Sequence, residues 1–122
     1  NFFGIQYFTV AAETPLPPGK HQVRMEFAYD GGGLAKGGTV TLYHDGAAVG
    51  TGRVEMTIPM GFSADEACDI GRDTGSPASP DYGPTDNEFT GTIDWVQIDI
   101  GEDNHDHLVT AAERFAFAMG KQ

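Results

Sequence analysis

The residues best suited to chemistry lie in an acidic stretch rich in glycine and proline, between Phe62 and Tyr82. Three of its carboxylates, Asp69, Asp73 and Asp81, can converge if this stretch folds back on itself. Hard cations such as calcium prefer several carboxylate and carbonyl oxygens held by a glycine-rich turn. The stretch therefore predicts a calcium site, although its spacing does not match the EF-hand pattern. The alternative is that the same carboxylates cap turns in a solvated loop.

Further polar residues of this stretch suit an interface or a ligand-binding loop better than catalysis. They are Asp65, Glu66, Arg72 and Tyr82. The chain shows no nucleophile and base pair, no phosphate-binding glycine motif and no pair of zinc-binding cysteines. A long polar loop inside a small domain is usually functional, a docking surface or disordered. These three alternatives stay open for the loop over residues 62–88.

The four histidines offer a second candidate metal site. His105 and His107 are separated by one residue, so their side chains point the same way on an extended segment and suit zinc or copper. Two ligands do not complete a site, and a solvated turn is the alternative. His21 and His44 flank predicted strand ends, and we expect them to be surface residues.

Charge excludes several classes of partner. The 122 residues carry 18 acidic and 7 basic side chains, a formal net charge of -11. This balance argues against nucleic acid and against an anionic membrane surface. Cations, neutral sugars and a basic protein partner remain compatible. No apolar run approaches the ~20 residues of a membrane span, and a single cysteine, Cys68, excludes an internal disulfide.

Alternating hydrophobicity predicts the strands that must position these residues. Residues 21–29 place Val23, Met25 and Phe27 on one face and polar residues on the other. Residues 39–43, with Val40 and Leu42 predicted to point inward, and residues 48–54 flank Asp45-Gly46, a dipeptide typical of a tight hairpin turn.

Two further strands and one helix are predicted at the ends of the chain. Residues 3–10 and 89–100 are apolar enough to form strands. A capping box of Thr110 and Glu113 opens a short helix over residues 110–119. The chain as a whole predicts one domain, residues 1–122, with an all-β, antiparallel, jelly-roll-like sandwich and this one helix.

Aromatic side chains predict an alternative function on the same fold. β-Sandwiches often bind sugars by stacking rings on them while polar side chains bond the hydroxyls. Tyr43, Tyr82 and Trp95 are the candidates, and for each the alternative is burial in the core, which we expect for Trp95. A glycan-binding module that uses calcium therefore remains open.

An ordered series of motifs resembles the C-terminal region of large bacterial arylsulfatases. The resemblance extends from about Phe2 to Ile100. Its motifs, in order, are Tyr29-Asp-Gly-Gly-Gly, Lys36-Gly-Gly, Asp45-Gly46, Phe62-Ser-Ala-Asp-Glu, Asp69-Ile-Gly-Arg-Asp-Thr-Gly-Ser-Pro, Asp81-Tyr82 and Phe89-Thr-Gly-Thr-Ile.

This resemblance implies an accessory domain, not an enzyme. Such sulfatases hydrolyse sulfate esters with calcium and a formylglycine made within a Cys/Ser-x-Pro-x-Arg motif, in an N-terminal α/β domain. The chain lacks this motif, because Ile70 stands between Cys68 and Arg72 where proline is required. The resemblance therefore implies a non-catalytic C-terminal fragment of a longer, periplasmic or secreted enzyme, whose catalytic domain in the same polypeptide is its partner.

Overall fold

A computed structural model describes residues 1–59, 68–75 and 77–101 of the chain. Within these ranges the regular structure consists of three β-strands: β1 (Val23–Tyr29), β2 (Gly38–His44) and β3 (Ala47–Val54). They form one antiparallel sheet in the order β1-β2-β3. The prediction of an antiparallel β fold is confirmed for this part of the chain. None of the described residues belongs to a helix long and apolar enough to cross a bilayer.

The β2–β3 hairpin follows from its two-residue turn. Asp45 and Gly46 have φ angles of 47° and 85°, and positive φ at both central residues matches the right-handed twist of hairpin strands. The predicted hairpin is confirmed. Its register shifts after Leu42, which pairs with Gly50 while Tyr43 pairs with Ala48. The extra residue makes a bulge close to the turn.

The register of β1 against β2 gathers apolar side chains on one side of the sheet. Met25 pairs with Leu42, and Phe27 pairs with Val40. We call the surface formed by Val23, Met25, Phe27, Val40 and Leu42 the apolar face. The sequence predicted this face correctly, because strand residues two apart point the same way.

The β1 side of the apolar face is largely exposed. Val40 is the single buried hydrophobic residue in the described ranges, with 7% of its surface accessible, whereas Val23 and Met25 are 66% and 64% exposed. Phe27 leans over Gly38, where an added Cβ would lie only 2.4 Å from its ring, and is still 41% exposed. The described core is therefore shallow and centred on β2.

Residues 8–16, which we call the strap, cross the β3 side of the apolar face. A Cβ at Gly52 would lie 2.7 Å from the Val10 side chain, and one at Gly50 would lie 2.5 Å from the Ala11 carbonyl oxygen. Glu13 N–H donates to the Val49 carbonyl at 3.1 Å. The strap approaches β3 this closely because two of the residues beneath it are glycines.

The predicted strand over residues 3–10 is wrong. Phe2 and Gln6 form an isolated antiparallel bridge, and Phe3 and Gly4 between them have φ angles of 51° and 68°. The Asn1 side chain stabilises this turn by accepting a hydrogen bond from Gly4 N–H at 2.7 Å. A local side chain-to-backbone bond therefore takes the place of strand pairing.

The predicted strand over residues 89–100 is also not formed. These residues lie in no strand, and Ile93, Trp95 and Ile98 are 42%, 61% and 71% exposed. Extended apolar residues need a neighbouring ladder to become a strand, and no described strand supplies one. The expectation that Trp95 is buried is wrong. The helix predicted over residues 110–119 lies outside the described residues.

Candidate functional site

One cluster of side chains has the composition and spacing of a metal centre. His21 lies two residues before β1, His44 ends β2, and Asp45 is the first turn residue after it. Because β1 and β2 are antiparallel with Val23 opposite His44, the start of β1 and the end of β2 lie at the same edge of the sheet. Pairing of the two strands therefore brings together residues 23 positions apart.

The three side chains converge on one another through single atoms. His21 Nδ1 lies 2.8 Å from Asp45 Oδ2 and 2.9 Å from His44 Nε2, and His44 Nε2 lies 3.2 Å from the same carboxylate oxygen. The two imidazole rings meet edge to face, with centroids 4.6 Å apart. Among the residues that the structure describes, this is the one group of three or more candidate ligands that converge in this way.

Backbone contacts fix the carboxylate of this cluster. Asp45 Oδ1 accepts a hydrogen bond from Gln22 N–H at 2.8 Å, and Asp45 N–H donates to the Gln22 carbonyl at 2.9 Å. Oδ2 is therefore the oxygen left for the imidazoles. The hydrogen bond from His21, followed by that from Gln22, lowers the pKa of Asp45, while the bond to Asp45 raises the pKa of His21. The pair is thus biased toward an ion pair.

The cluster is partly shielded from solvent. The side chains of His21, His44 and Asp45 are 19%, 25% and 52% exposed. The other ring nitrogen of His21, Nε2, is buried and has no hydrogen-bond partner among the described residues. A Cβ at Gly19 would lie 2.9 Å from this atom. Glycine at position 19 therefore leaves the space that the His21 ring occupies.

The acidic loop uses its predicted calcium ligands for its own structure. Asp69 Oδ2 accepts hydrogen bonds from Thr74 Oγ1 at 2.6 Å and Thr74 N–H at 2.7 Å. These two bonds lower the pKa of Asp69, the hydroxyl contributing most. Asp81 Oδ2 accepts from the Ser79 hydroxyl at 2.6 Å. Asp69 therefore caps a turn through the Thr74 amide, whereas the partner of the Asp81 carboxylate is a neighbouring hydroxyl.

Asp73 is the residue around which the second half of the loop is built. Its Oδ2 accepts hydrogen bonds from the Tyr82 hydroxyl at 2.6 Å and from Ala78 N–H at 3.1 Å. Its backbone N–H donates to Asn87 Oδ1 at 3.0 Å, and Asn87 Nδ2 donates to its carbonyl at 2.8 Å. The hydroxyl of Tyr82, and next the amide of Ala78, lower the pKa of Asp73.

The loop residues predicted for an interface divide into two groups. Tyr82 points its hydroxyl inward to Asp73, whereas Arg72 is 57% exposed and makes a long contact of 3.5 Å with Glu88. Asp65 and Glu66 lie outside the described residues. Of the described ligands predicted for calcium, Asp69, Asp73 and Asp81 do not form a converging trio. The calcium site stays a prediction.

The face of the sheet opposite the apolar face carries two ionic networks. Arg24 pairs with Glu26 at 2.6 Å and stacks 4.0 Å from the centre of the Tyr43 ring, whose hydroxyl donates to Glu26. Farther along, Arg53 donates two hydrogen bonds to Asp30 at 2.7 and 2.9 Å. Tyr43 is therefore already stacked by a cation, which leaves Trp95 as the more accessible ring for a sugar.

An open groove of about 420 Å³ separates the strap from the apolar face. The strap contributes Ala12, Thr14 and Leu16 to one wall, and the sheet contributes Met25 and Leu42 to the other. His44 and Val23 also line it. The groove thus reaches from the exposed side of β1 to the histidine cluster.

Sequence reasoning missed the histidine cluster. We expected surface positions for His21 and His44 because each was considered alone at a strand end. The signal that indicates the cluster is antiparallel pairing of the predicted strands over residues 21–29 and 39–43, which places the start of the first strand beside the end of the second. His105 and His107, the histidine pair predicted either to ligate a metal or to lie in a solvated turn, lie outside the described residues.

Comparison of the chain with protein-family models yields no match, and comparisons with curated proteins and with solved structures yield none either. The similarity to arylsulfatases therefore rests on the sequence motifs alone.

Proposed function

We propose that this chain is a non-catalytic accessory β domain that packs against the catalytic domain of a sulfatase-type enzyme in the same polypeptide. The observation that carries the proposal is the exposed β1 side of the apolar face. Val23 and Met25 remain about two-thirds exposed although they alternate as core residues do. Large contiguous apolar patches on soluble proteins mark surfaces that contact another molecule.

The proposed partner follows from the motifs and from the chemistry of the loop. Residues 62–82 carry the most specific part of the motif series that resembles the arylsulfatase C-terminal region. Its carboxylates at Asp69 and Asp73 are occupied by hydrogen bonds within the loop, which suits a preformed docking surface. Arg72 and Glu88 contact each other only at 3.5 Å and are 57% and 72% exposed, so both charges can also meet complementary charges on a catalytic domain.

The same proposal includes the sandwich and the helix that would complete the domain around the described sheet. A sheet with one polar and one apolar face is suited to form one layer of a sandwich. The strap covers the β3 side of that face, and the catalytic domain is proposed to cover the β1 side. A jelly-roll-like sandwich with a helix over residues 110–119 completes the proposed fold.

Activity measurements test the enzymatic part of this proposal. Residues 1–122 are expected to leave a nitrophenyl sulfate unchanged, whereas the longer polypeptide, carrying a Cys/Ser-x-Pro-x-Arg motif upstream of Asn1, is expected to release sulfate from it. Turnover by residues 1–122 above buffer, or the lack of that motif upstream, would overturn the proposal.

Charge reversal in the loop tests docking. Arg72→Glu leaves the hydrogen bonds of Asp69 and Asp73 in place but replaces the Arg72–Glu88 contact with repulsion. The melting temperature of residues 1–122 with this substitution is therefore measured first, to separate a change in the loop itself from a loss of docking. In the longer polypeptide this variant is expected to lower activity or thermal stability, while Glu55→Lys, also exposed but outside the loop, serves as the matched control. Equal behaviour of the two variants would argue against docking through the loop.

Exposure of Trp95 favours one other candidate function, carbohydrate binding. Its ring is 61% exposed, as stacking on a sugar requires. Titration calorimetry of the chain against neutral and sulfated glycans, with and without a chelator, tests this function and its calcium dependence. Binding that Trp95→Ala abolishes would support it, and no heat across the panel would exclude it for those glycans.

A further inference from the structure

The histidine cluster has the donor set of a transition-metal site. It offers two imidazole nitrogens and one carboxylate oxygen, from His21, His44 and Asp45. Imidazole nitrogen suits zinc, copper and nickel, whereas calcium and magnesium require mostly oxygen ligands. A site with two ring nitrogens and one available carboxylate oxygen therefore favours zinc, copper or nickel over calcium and magnesium.

The spacing of the three donor atoms is close to that of a tetrahedral centre. With zinc-to-ligand bonds of 2.0–2.1 Å, two tetrahedral ligands lie about 3.3 Å apart. The observed separations of 2.8, 2.9 and 3.2 Å are shorter than this by about 0.1 to 0.5 Å. An ion would therefore require the three donor atoms to move apart by these few tenths of an ångström.

The scaffold around the cluster supports a fixed geometry. The two-residue turn sets the backbone of Asp45, and its Oδ1 is held by Gln22 N–H at 2.8 Å. Metal-ligating carboxylates are commonly oriented by such outer hydrogen bonds. The site is also reachable, since the Asp45 side chain is 52% exposed.

We propose that His21 Nδ1, His44 Nε2 and Asp45 Oδ2 form a zinc-class metal site, in which the residues that the structure describes supply three ligands and leave the fourth position open. Three protein ligands and one exchangeable position are the arrangement of reactive rather than closed structural zinc sites. The proposal goes beyond the accessory role and does not depend on it. An acidic protein of net charge -11 also favours the approach of a cation.

A general-base dyad is the competing use of a His–Asp pair. Such a dyad must present the second ring nitrogen of the histidine to a substrate. In this structure the second nitrogen of His21, Nε2, is buried near Gly19. The nitrogen of His21 that faces His44 is Nδ1, which also lies beside Asp45. The geometry therefore suits an ion shared by the three side chains better than abstraction of a proton from a substrate.

Gly19 gives the site a positioning residue whose change removes no ligand. A Cβ at Gly19 would lie 2.9 Å from His21 Nε2, closer than side-chain contacts normally allow. Gly19→Ala is therefore expected to displace the His21 ring and to weaken metal binding. Gly19 also has a φ of 142°, at which a side chain strains the backbone, so thermal unfolding of this variant without zinc is measured beside its zinc affinity.

Zinc titration of the full chain, followed by calorimetry and by NMR of the histidine rings, tests the proposal. The wild-type chain is expected to bind one zinc ion and to shift the ring signals of both His21 and His44. His44→Gln and Asp45→Asn are expected to weaken binding by more than the ~10- to 100-fold typical of lost supporting contacts. Asp45→Asn keeps an oxygen for Gln22 N–H, and thermal unfolding without zinc verifies that each variant folds.

The matched control changes the other two histidines. A His105→Gln/His107→Gln double variant is expected to bind zinc with wild-type affinity. Loss of binding in this double variant, or unchanged binding in both His44→Gln and Asp45→Asn, would overturn the proposal. Absence of zinc binding by the wild-type chain, or ring shifts confined to His105 and His107, would also overturn it.

Discussion

The Tyr82 hydroxyl donates a hydrogen bond of 2.6 Å to Asp73 Oδ2, nine residues earlier in the loop. The same carboxylate oxygen accepts the amide of Ala78 at 3.1 Å. Bonds to the ionised form of a carboxyl group stabilise that form. The two bonds therefore lower the pKa of Asp73, and the bond to the Asp73 carboxylate raises the pKa of Tyr82.

Removing this hydroxyl is the first prediction. Tyr82→Phe deletes the largest single cause of the lowered pKa of Asp73, so that pKa is expected to rise toward its ordinary value. Carboxyl NMR titration of the chain measures the change, with Asp69, whose partner is Thr74, as the internal control. An unmoved Asp73 would contradict the assigned hydrogen bond.

The second prediction is that acid weakens the ion pair of Asp30 and Arg53, which lies on the face of the sheet opposite the apolar face. Arg53 lowers the pKa of Asp30 through their paired hydrogen bonds. A lowered carboxyl pKa contributes stability above the ordinary value of 3.8, and the contribution is lost as pH falls through the folded value. Asp30→Asn should therefore lower the melting temperature at neutral pH, and this difference should shrink below pH 3.8.

The control for this prediction is Lys20→Gln, which removes an exposed cation paired with Asp94 at 2.5 Å outside the sheet. Its effect on the melting temperature is expected to be small, as for most exposed ion pairs. If Asp30→Asn gave the same melting-temperature difference at every pH, the pH dependence of stability would not come from protonation of Asp30.

Contact between the strap and β3 gives the third prediction. Gly50→Ala places a Cβ 2.5 Å from the Ala11 carbonyl oxygen, so the strap must move. Overpacking of this kind costs about 1–3 kcal/mol. Urea unfolding measures the loss, with Ala48→Ser, an exposed change on the same strand, as control. Equal unfolding midpoints for the two variants would mean that the strap does not rest on Gly50.

Local signals in the sequence were sufficient to predict the hairpin and the apolar face. Asp45-Gly46 specifies its own turn, and the alternation that places Val40 and Leu42 on one side repeats every two residues. These features depend only on neighbours in the chain. The structure accordingly reproduces them almost residue for residue.

Features set by distant contacts were not predictable in the same way. Residues 3–10 have the apolar content of a strand, but no described strand pairs with them in a ladder, and a local turn stabilised by the Asn1 side chain forms at residues 2–6 instead. The meeting of His21 and His44 depends on the register of β1 against β2, which no local pattern reports. The role of Asp69, in contrast, could be predicted from the sequence, because turn capping is one of the two alternatives that the loop composition allows.

Oxidation of Met25 tests the central claim of the account most directly. Met25 lies on the apolar face and is 64% exposed, so dilute peroxide should oxidise it rapidly in residues 1–122, with the half-buried Met56 as internal reference. In the longer polypeptide the catalytic domain is proposed to cover this face, and mass spectrometry should show a slower oxidation of Met25 relative to Met56. Equal relative rates in the two proteins, or protection of Met25 already in residues 1–122, would contradict the claim.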